Sequence, residues 1–516
     1  MTMKVSPLRW LCMSLFIVAL VGCSDDDTPT KDGGADGIGV DMKVGDASRD
    51  GPGSDADGPS MDGPVADQGQ WTSWSMKMGG SGRIVGVGHD SSSNTIIAGV
   101  FSNDATFGTT TLTAAGNMPA LFVAKLDSAG SFSWAMSIGA SLSVSGLSAL
   151  SFAVDASGNS YLSGNTSGAI SLAGKQLDRG SFVAKISPAG AVLWAVTLTG
   201  GGADFSFFNH GFRGIAVDGS GNVYATGAYK SAAVVGTTTL PSASVEGIFV
   251  AKIAADGSLT WVKTPTGRGR GVAIALDGSG NGYVLGSFVG QATFGTTTLD
   301  APALTRDFDI FVAKIDAAGT FGWAKSAGML GDDGDPSTKW GSETPLAIGV
   351  DGSANAYIAG MINGQGGAQA TFGTHSVTAG ANDENTIFVA KLDSSGSFTW
   401  AKASQPSGKD DQLAGFTVDS AGASYLTGTT EQTTFGTHAI AAGVRRLFVS
   451  KLDSGGTFQW AIAAITQAAV SGRCIMVDGG VSTVGGDLAG AATFGSETIT
   501  PPPPMFLVKV SPDGRF

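Results

Sequence analysis

Residues 309–323 read DIFVAKIDAAGTFGW, and the reading of this stretch decides the fold. Seven Lys residues stand in closely similar surroundings, at 125, 185, 252, 314, 391, 451 and 509. Before each lies a short apolar, β-branched run, and after it a turn such as ADG, DSAG or SPAG. The Gly of that turn falls at 130, 190, 257, 319, 396, 456 and 514. A left-handed Gly between two short apolar runs predicts a hairpin with a bulge. A second anchor precedes each copy, an Asp that closes an apolar run: Asp90, Asp155, Asp218, Asp277, Asp351, Asp419 and Asp478. In IAVDGSGNVYATG (215–227) the Asp and the following Gly-Asn mark a second turn, since Asp accepts bonds from amides ahead of it.

These anchors recur about every 65 residues, and self-similarity of that period marks a repeat architecture. Each unit reads as four short strands, exemplified by GIAVD, NVYATGAY, IFVAKI and LTWVK in the third, with a longer middle connection that often contains ATFGTTTL. Four-stranded units without helical spacers predict an all-β, seven-bladed β-propeller of antiparallel blades. Six units carry a Trp nine residues after the Lys: Trp134, Trp194, Trp261, Trp323, Trp400 and Trp460. The seventh stops at LVKVSPDGRF (507–516), before that position is reached. Residues 71–80, WTSWSMKMGG, resemble FSWAMSIGA (132–140), so Trp74 is expected to be the seventh Trp. The N-terminal segment is thereby predicted to supply the outer strand of the last blade, which leaves no open edge. VDGGVSTVGG (477–486) shortens the first turn of that unit.

Segments of the VDGSGNVY and DIFVAKIDAAGTFGW type resemble those of bacterial proteins built from the seven-bladed β-propeller repeat often called SBBP. The resemblance covers roughly 71–516. It implies the propeller fold and a surface or secreted protein, and it brings no catalytic residues.

The first 22 residues read as a signal peptide: Lys4 and Arg9, then an apolar stretch too short to span a bilayer comfortably. It ends in Leu20-Val21-Gly22-Cys23, which resembles the bacterial lipobox. That resemblance implies cleavage before Cys23 and lipidation of its thiol and amine, with several acyl chains making a stable anchor. Ser24, rather than Asp, follows the Cys and favours the outer membrane by analogy. Residues 23–70 are expected to form a disordered tether rich in Asp, Gly and Pro. Of the net charge of −13, the tether supplies −9 and the signal +2, so −6 remains for residues 71–516. The irregular Asp spacing of the tether does not match a calcium loop. With no basic face, nucleic acid is not an expected partner.

The repeated Asp and Trp read as scaffold, since seven equivalent turns require seven equivalent caps. A ring of cation-binding carboxylates is the competing reading. His375 and His438 both follow TFGT, but metals want three or four convergent ligands. Cys474 reads as a small buried apolar residue. The deviations from the repeat carry the candidate ligand-binding loops: Phe205, Phe207, Phe208 and His210, then Arg268 and Arg270, then Asp332, Asp333, Asp335 and Trp340, then Asp410 and Asp411. Aromatics beside carboxylates suit carbohydrate or peptide, and the three Asp before Trp340 suit a calcium ion. No other cofactor is expected.

The reading is therefore a monomeric, lipid-anchored propeller of the bacterial envelope. It would bind a protein or glycan through the loops on the face opposite the tight turns, without catalysis. Two alternatives remain. One is a propeller lyase or hydrolase, which requires acid and base groups gathered in the central funnel. The other is a purely structural, adhesin-like repeat.

Overall fold

The structure is a computed structural model. It describes residues 75–516 apart from 115–118, 139–150, 167–169, 173–174, 178, 201–209, 244–245, 302–307, 330–340, 365–367, 381–383, 407–410 and 501–504. The chain divides into two compact units at 68/69, and the first lies wholly outside the described residues, with Cys23 in it. Trp74 also lies outside them.

The described part is all β, and its strand pairings are antiparallel. In the third repeat, Gly211–Val217, Val223–Tyr229, Gly247–Ile253 and Leu259–Lys263 pair in that order as one meander. The same order recurs in every repeat. The second and third strands are buried on both faces, as in Val223–Tyr229, where every residue is buried. That is why they read as unbroken apolar or small-residue runs, while the outer strand alternates. The predicted bulge follows the Lys in each complete repeat, for instance between Lys252 and Ile253. Its Gly takes the left-handed conformation, with φ of 87°, 89° and 79° at Gly130, Gly257 and Gly514.

The first described strand pairs with the last. In the seventh repeat Val470–Asp478, Val481–Leu488 and Met505–Val510 pair in order. The start of the long strand Ser75–His89 then adds to the outer side, with Ser75 opposite Val508 and Met78 opposite Met505. From Gly79 onward the same strand pairs with Thr95–Phe107 as the innermost strand of the first repeat. One hydrophobic cluster joins Met78, Ile84, Phe122, Cys474, Met505 and Leu507, so residues from both ends share a core. First strands of successive repeats pack on one another in sequence order, and that of the seventh packs on that of the first.

Two local features differ from expectation. The first turn of the last repeat is a two-residue hairpin, Asp478 opposite Val481, with Gly479 and Gly480 at φ 55° and 81°. Both positive angles fit the primed turn that such hairpins favour, which is why the missing Asn does no harm. The middle connection is not an open loop in most repeats. ATFGT-type segments form small hairpins such as Gln369–Phe372 with His375–Thr378, which pairs back onto the end of the preceding repeat's outer strand at Gly328 and Met329. The Phe of each TFG is buried between two others. Phe372 lies 5.0 Å from Phe388 and 5.7 Å from Phe398 between ring centroids. In the last repeat Phe516, the final residue, completes the same trio at 5.3 Å from Phe494.

Candidate functional site

On the tight-turn side the repeated polar residues bond to one another. Asp351 Oδ1 accepts the amides of Ser353 and Asn355, each at 2.9 Å. Its Oδ2 accepts Asn355 Nδ2 at 2.8 Å and the Tyr357 hydroxyl at 2.9 Å. Burial works against the Asp351 charge, yet the Asn355, Tyr357 and Ser353 bonds outweigh it and hold the carboxyl below its usual value. Equivalent bonds are made by Asp90, Asp155, Asp218, Asp277 and Asp419. The Tyr beside the turn reaches the next repeat: Tyr224 donates to the Gly280 carbonyl at 2.9 Å and Tyr283 to that of Ala354 at 3.0 Å. Lys252 and Lys314 lie over the rings of Tyr224 and Tyr283 at 4.8 and 4.7 Å.

The six described Trp also join neighbouring repeats. Each indole N–H donates to a carbonyl in the next repeat's last turn: Trp134 to Pro188, Trp194 to Ala255, Trp261 to Ala317, Trp323 to Ser394, Trp400 to Ser454 and Trp460 to Pro512. The turn Gly lies against the same ring. A Cβ on Gly257 would stand 2.7 Å from Trp194, and one on Gly514 would stand 2.6 Å from Trp460. Position and conformation both demand Gly there.

The opposite end, where the innermost strands begin, holds the described non-repeating residues. Of the candidate ligand residues, Phe205, Phe207, Phe208, Asp332, Asp333, Asp335, Trp340 and Asp410 lie outside the described residues. Arg268 and Arg270 do not sit in a loop. They lie on the innermost strand Thr266–Leu276, because Gly-Arg alternation there continues the ladder, Arg268 opposite Val289 and Arg270 opposite Ser287. Both guanidinium groups approach the Phe308 ring at 5.3 Å, and Arg270 Nε donates to Ser287 Oγ at 3.2 Å. Asp411 turns inward rather than towards solvent: it is 0% exposed and accepts the Thr430 hydroxyl at 2.5 Å. Burial, with Glu384 and Glu431 nearby, pushes its carboxyl up to about 6. His210 is half-buried. Burial foremost, then Lys230 and Arg213, lowers its pKa.

Three further arginines on innermost strands escaped the sequence reading. Arg213 precedes Asp218 by five residues, and Arg473 precedes Asp478 by five. Arg83 precedes Asp90 by seven, as Arg270 precedes Asp277. Aligning the repeats on their Asp would have found them. Arg473 forks onto Asp487, Nε to Oδ1 at 2.6 Å and the second contact at 3.3 Å. Burial, then Arg473, lowers the pKa of Arg83, with Asp487 opposing. Burial and Arg270 bring Arg213 down to about 10, with Glu246 opposing.

Cys474 is buried and free, its thiol pushed up to about 12 by desolvation. His438 Nε2 lies 3.2 Å from the Phe458 carbonyl. Among the described residues no group of three or more His, Cys, Asp or Glu is placed to hold a metal ion.

No family model and no curated protein matches the chain. Among solved structures it is similar to virginiamycin B lyase from Staphylococcus aureus, at 9% identity over 85% of this chain and 99% of that one, with a TM-score of 0.42. It is also similar to a protein of unknown function from Bacteroides caccae, at 12% identity over 66% of this chain and 89% of that one, TM-score 0.33. A third is the phage phi92 endosialidase, at 9% identity over 84% and 69% of the two chains, TM-score 0.31.

Proposed function

We propose that residues 71–516 form a closed seven-bladed β-propeller of the SBBP-repeat type, carried on a lipid at Cys23 and a disordered acidic tether, that acts as a non-catalytic binding module of the bacterial envelope. The pairing of Ser75–Met78 with Met505–Val508 supports closure, as does the cyclic packing of the first strands. One observation carries the functional reading. Repeated polar side chains on the tight-turn side are spent in bonds within and between repeats, whereas charged residues outside the repeat pattern gather at the starts of the innermost strands. A rigid scaffold that concentrates its individual chemistry on one end is built to present it. Protein or glycan is the ligand class, and the propeller is a monomer.

The test is a glycan array together with an envelope-extract pull-down, using the mature full-length chain with and without calcium. Binding through that end, abolished by substitutions there and retained after substitutions of the turn Asp, is expected. Binding to nothing in either condition refutes the reading. Palmitate incorporation lost in Cys23→Ala tests the anchor, and unchanged labelling refutes it.

The arginines favour a second reading, a propeller lyase or hydrolase, because guanidinium groups stabilise developing anions. That reading needs a proton-transfer group beside them, which arginine itself does not provide near neutral pH. His210 is the described candidate. Turnover of a glycan library lost in His210→Ala would establish it.

A further inference from the structure

The two arginine positions recur in a fixed relation. In the repeats that carry them, the residue five before the turn Asp sits in the bulge of the innermost strand: Arg213 between Phe212 and Gly214, and Arg473 between Gly472 and Cys474. The residue seven before the Asp lies in the regular ladder of the next repeat's innermost strand: Arg270 follows Arg213, and Arg83 follows Arg473 around the chain. The strands touch at these points. A Cβ on Gly485 would meet both Cys474 Sγ at 2.9 Å and Ile84 Cγ2 at 3.0 Å, so the immediate neighbours of Arg473 and Arg83 converge. A Cβ on Gly214, beside Arg213, would fall 2.6 Å from Ala273 Cα of the next strand. Elsewhere the two positions carry apolar, small or uncharged polar residues: Val85, Val272, Leu346 and Ala414 five before the Asp, and Gly211, Thr344, Gln412 and Ser471 seven before.

At the seam of the last and first repeats, Asp487 is gripped by Arg473 and is the nearby carboxylate that offsets the burial of Arg83. Arg83 Nε is buried with no hydrogen-bond partner among the described residues. A buried donor left without an acceptor is destabilising, the more so on a charged group. The seam therefore has one positive charge in excess and a donor turned to no acceptor. Both are remedied by one more carboxylate, whose planar oxygens fit the guanidinium fork. The other seam repeats the pair beside Glu246, with Phe308 offering a flat apolar face next to Arg268 and Arg270.

We propose that these two seams are carboxylate-binding subsites for an acidic polysaccharide of the uronate type. The inference rests on the binding-module reading and deepens it. At the seam of the last and first repeats, one carboxylate per sugar matches the one charge by which Arg83 and Arg473 exceed Asp487. At that seam a dianionic phosphate would reverse the local charge. The hydroxyls of the sugar ring suit the polar strand starts.

The experiment titrates the mature full-length chain in detergent with a galacturonic acid oligomer, against maltohexaose, a sulfated glycan and poly-glutamate. Expected is binding of the galacturonate oligomer at least tenfold tighter than each of the other three. Arg83→Gln and Arg270→Gln should each weaken it at least fivefold, with part of the loss restored in Arg83→Lys. Asp487→Asn removes the resident carboxylate and should tighten binding, a direction that mere damage would not give. Melting temperatures verify that each variant is folded, and Arg83→Gln alone suffices should Asp487→Asn fail to fold. Equal binding of maltohexaose, or galacturonate binding unchanged in Arg83→Gln and Arg270→Gln, overturns the proposal. Equal binding of poly-glutamate or the sulfated glycan overturns the uronate assignment. A different ligand on the glycan array that survives both Arg substitutions removes this inference while leaving the binding module intact, whereas no ligand at all removes both.

Discussion

Asp351→Asn separates a turn-building role for the repeated Asp from a ligand-binding one. Asp351 is 7% exposed, and its carboxylate accepts four bonds, two on each oxygen. An amide in its place retains the two backbone bonds at Oδ1. It puts an N–H₂ where Oδ2 stood, facing the Asn355 amide and the Tyr357 hydroxyl, so two bonds to a charged acceptor are lost. At about 1.5–3 kcal/mol for each bond, the loss is about 3–6 kcal/mol. The described part spans about 440 residues, and at about 2.1 cal/mol/K per residue an entropy of about 0.9 kcal/mol/K follows if it unfolds as one body. The melting temperature should then fall by about 3–7 °C at pH 7. The deficit should also depend on pH. The Asp351 carboxyl lies below its ordinary value, so its stabilisation is present above the unfolded value of about 3.9 and disappears as pH falls through the folded value. Calorimetry from pH 3 to pH 8 should show wild type and variant converging below about pH 4. A shift under 1 °C at pH 7, or a deficit independent of pH, would refute the assignment of this carboxylate to the turn.

Ala354 stands at φ 62°, where four other repeats have Gly, so Ala354→Gly relieves strain and should raise stability by roughly 0.5–1 kcal/mol, read by chemical denaturation. Gly257→Ala should cost about 2–4 kcal/mol, since it combines a φ of 89° with a collision against Trp194; an unchanged denaturation midpoint would contradict the packing. The Asp411 carboxyl is raised, so its cost to folding is absent below about pH 4 and grows as pH climbs through about 6; Asp411→Asn should therefore stabilise the protein by roughly 2–3 kcal/mol at pH 8 and little at pH 4. Cys474 should resist iodoacetamide at pH 8 in the native protein and react once unfolded, as peptide mass mapping would report.

The strand order, the bulged hairpins and the pairing of chain ends were legible because each leaves a local mark that recurs: a Lys, a left-handed Gly, an Asp before its turn. The resemblance of WTSWSMKMGG (71–80) to FSWAMSIGA (132–140) pointed to the pairing of Ser75–Met78 with Met505–Val508. The hairpins of the middle connection were not legible, since ATFGTTTL shows strand composition but not the neighbour it pairs with. The site was harder. Arg268 and Arg270 looked like loop residues because Gly alternation resembles a linker, although each Gly simply lets one strand approach the next: a Cβ on Gly269 would lie 2.5 Å from the Ser287 carbonyl. Asp411 read as part of a ligand-binding loop, yet its place just before an innermost strand turns it inward. Arg83, Arg213 and Arg473 each stand alone in sequence, and only the seam between repeats makes pairs of them.

The proposed closed ring depends on the pairing of Ser75–Met78 with Met505–Val508. Hydrogen exchange read by mass spectrometry on peptides covering 505–510, in the full-length chain and after deletion of residues 71–78, tests that joining directly. Met505–Val508 should be protected in the intact chain and lose protection on deletion, with a lowered melting temperature, although the deletion lies more than 400 positions away in sequence. Unchanged protection of that strand after the deletion would contradict it.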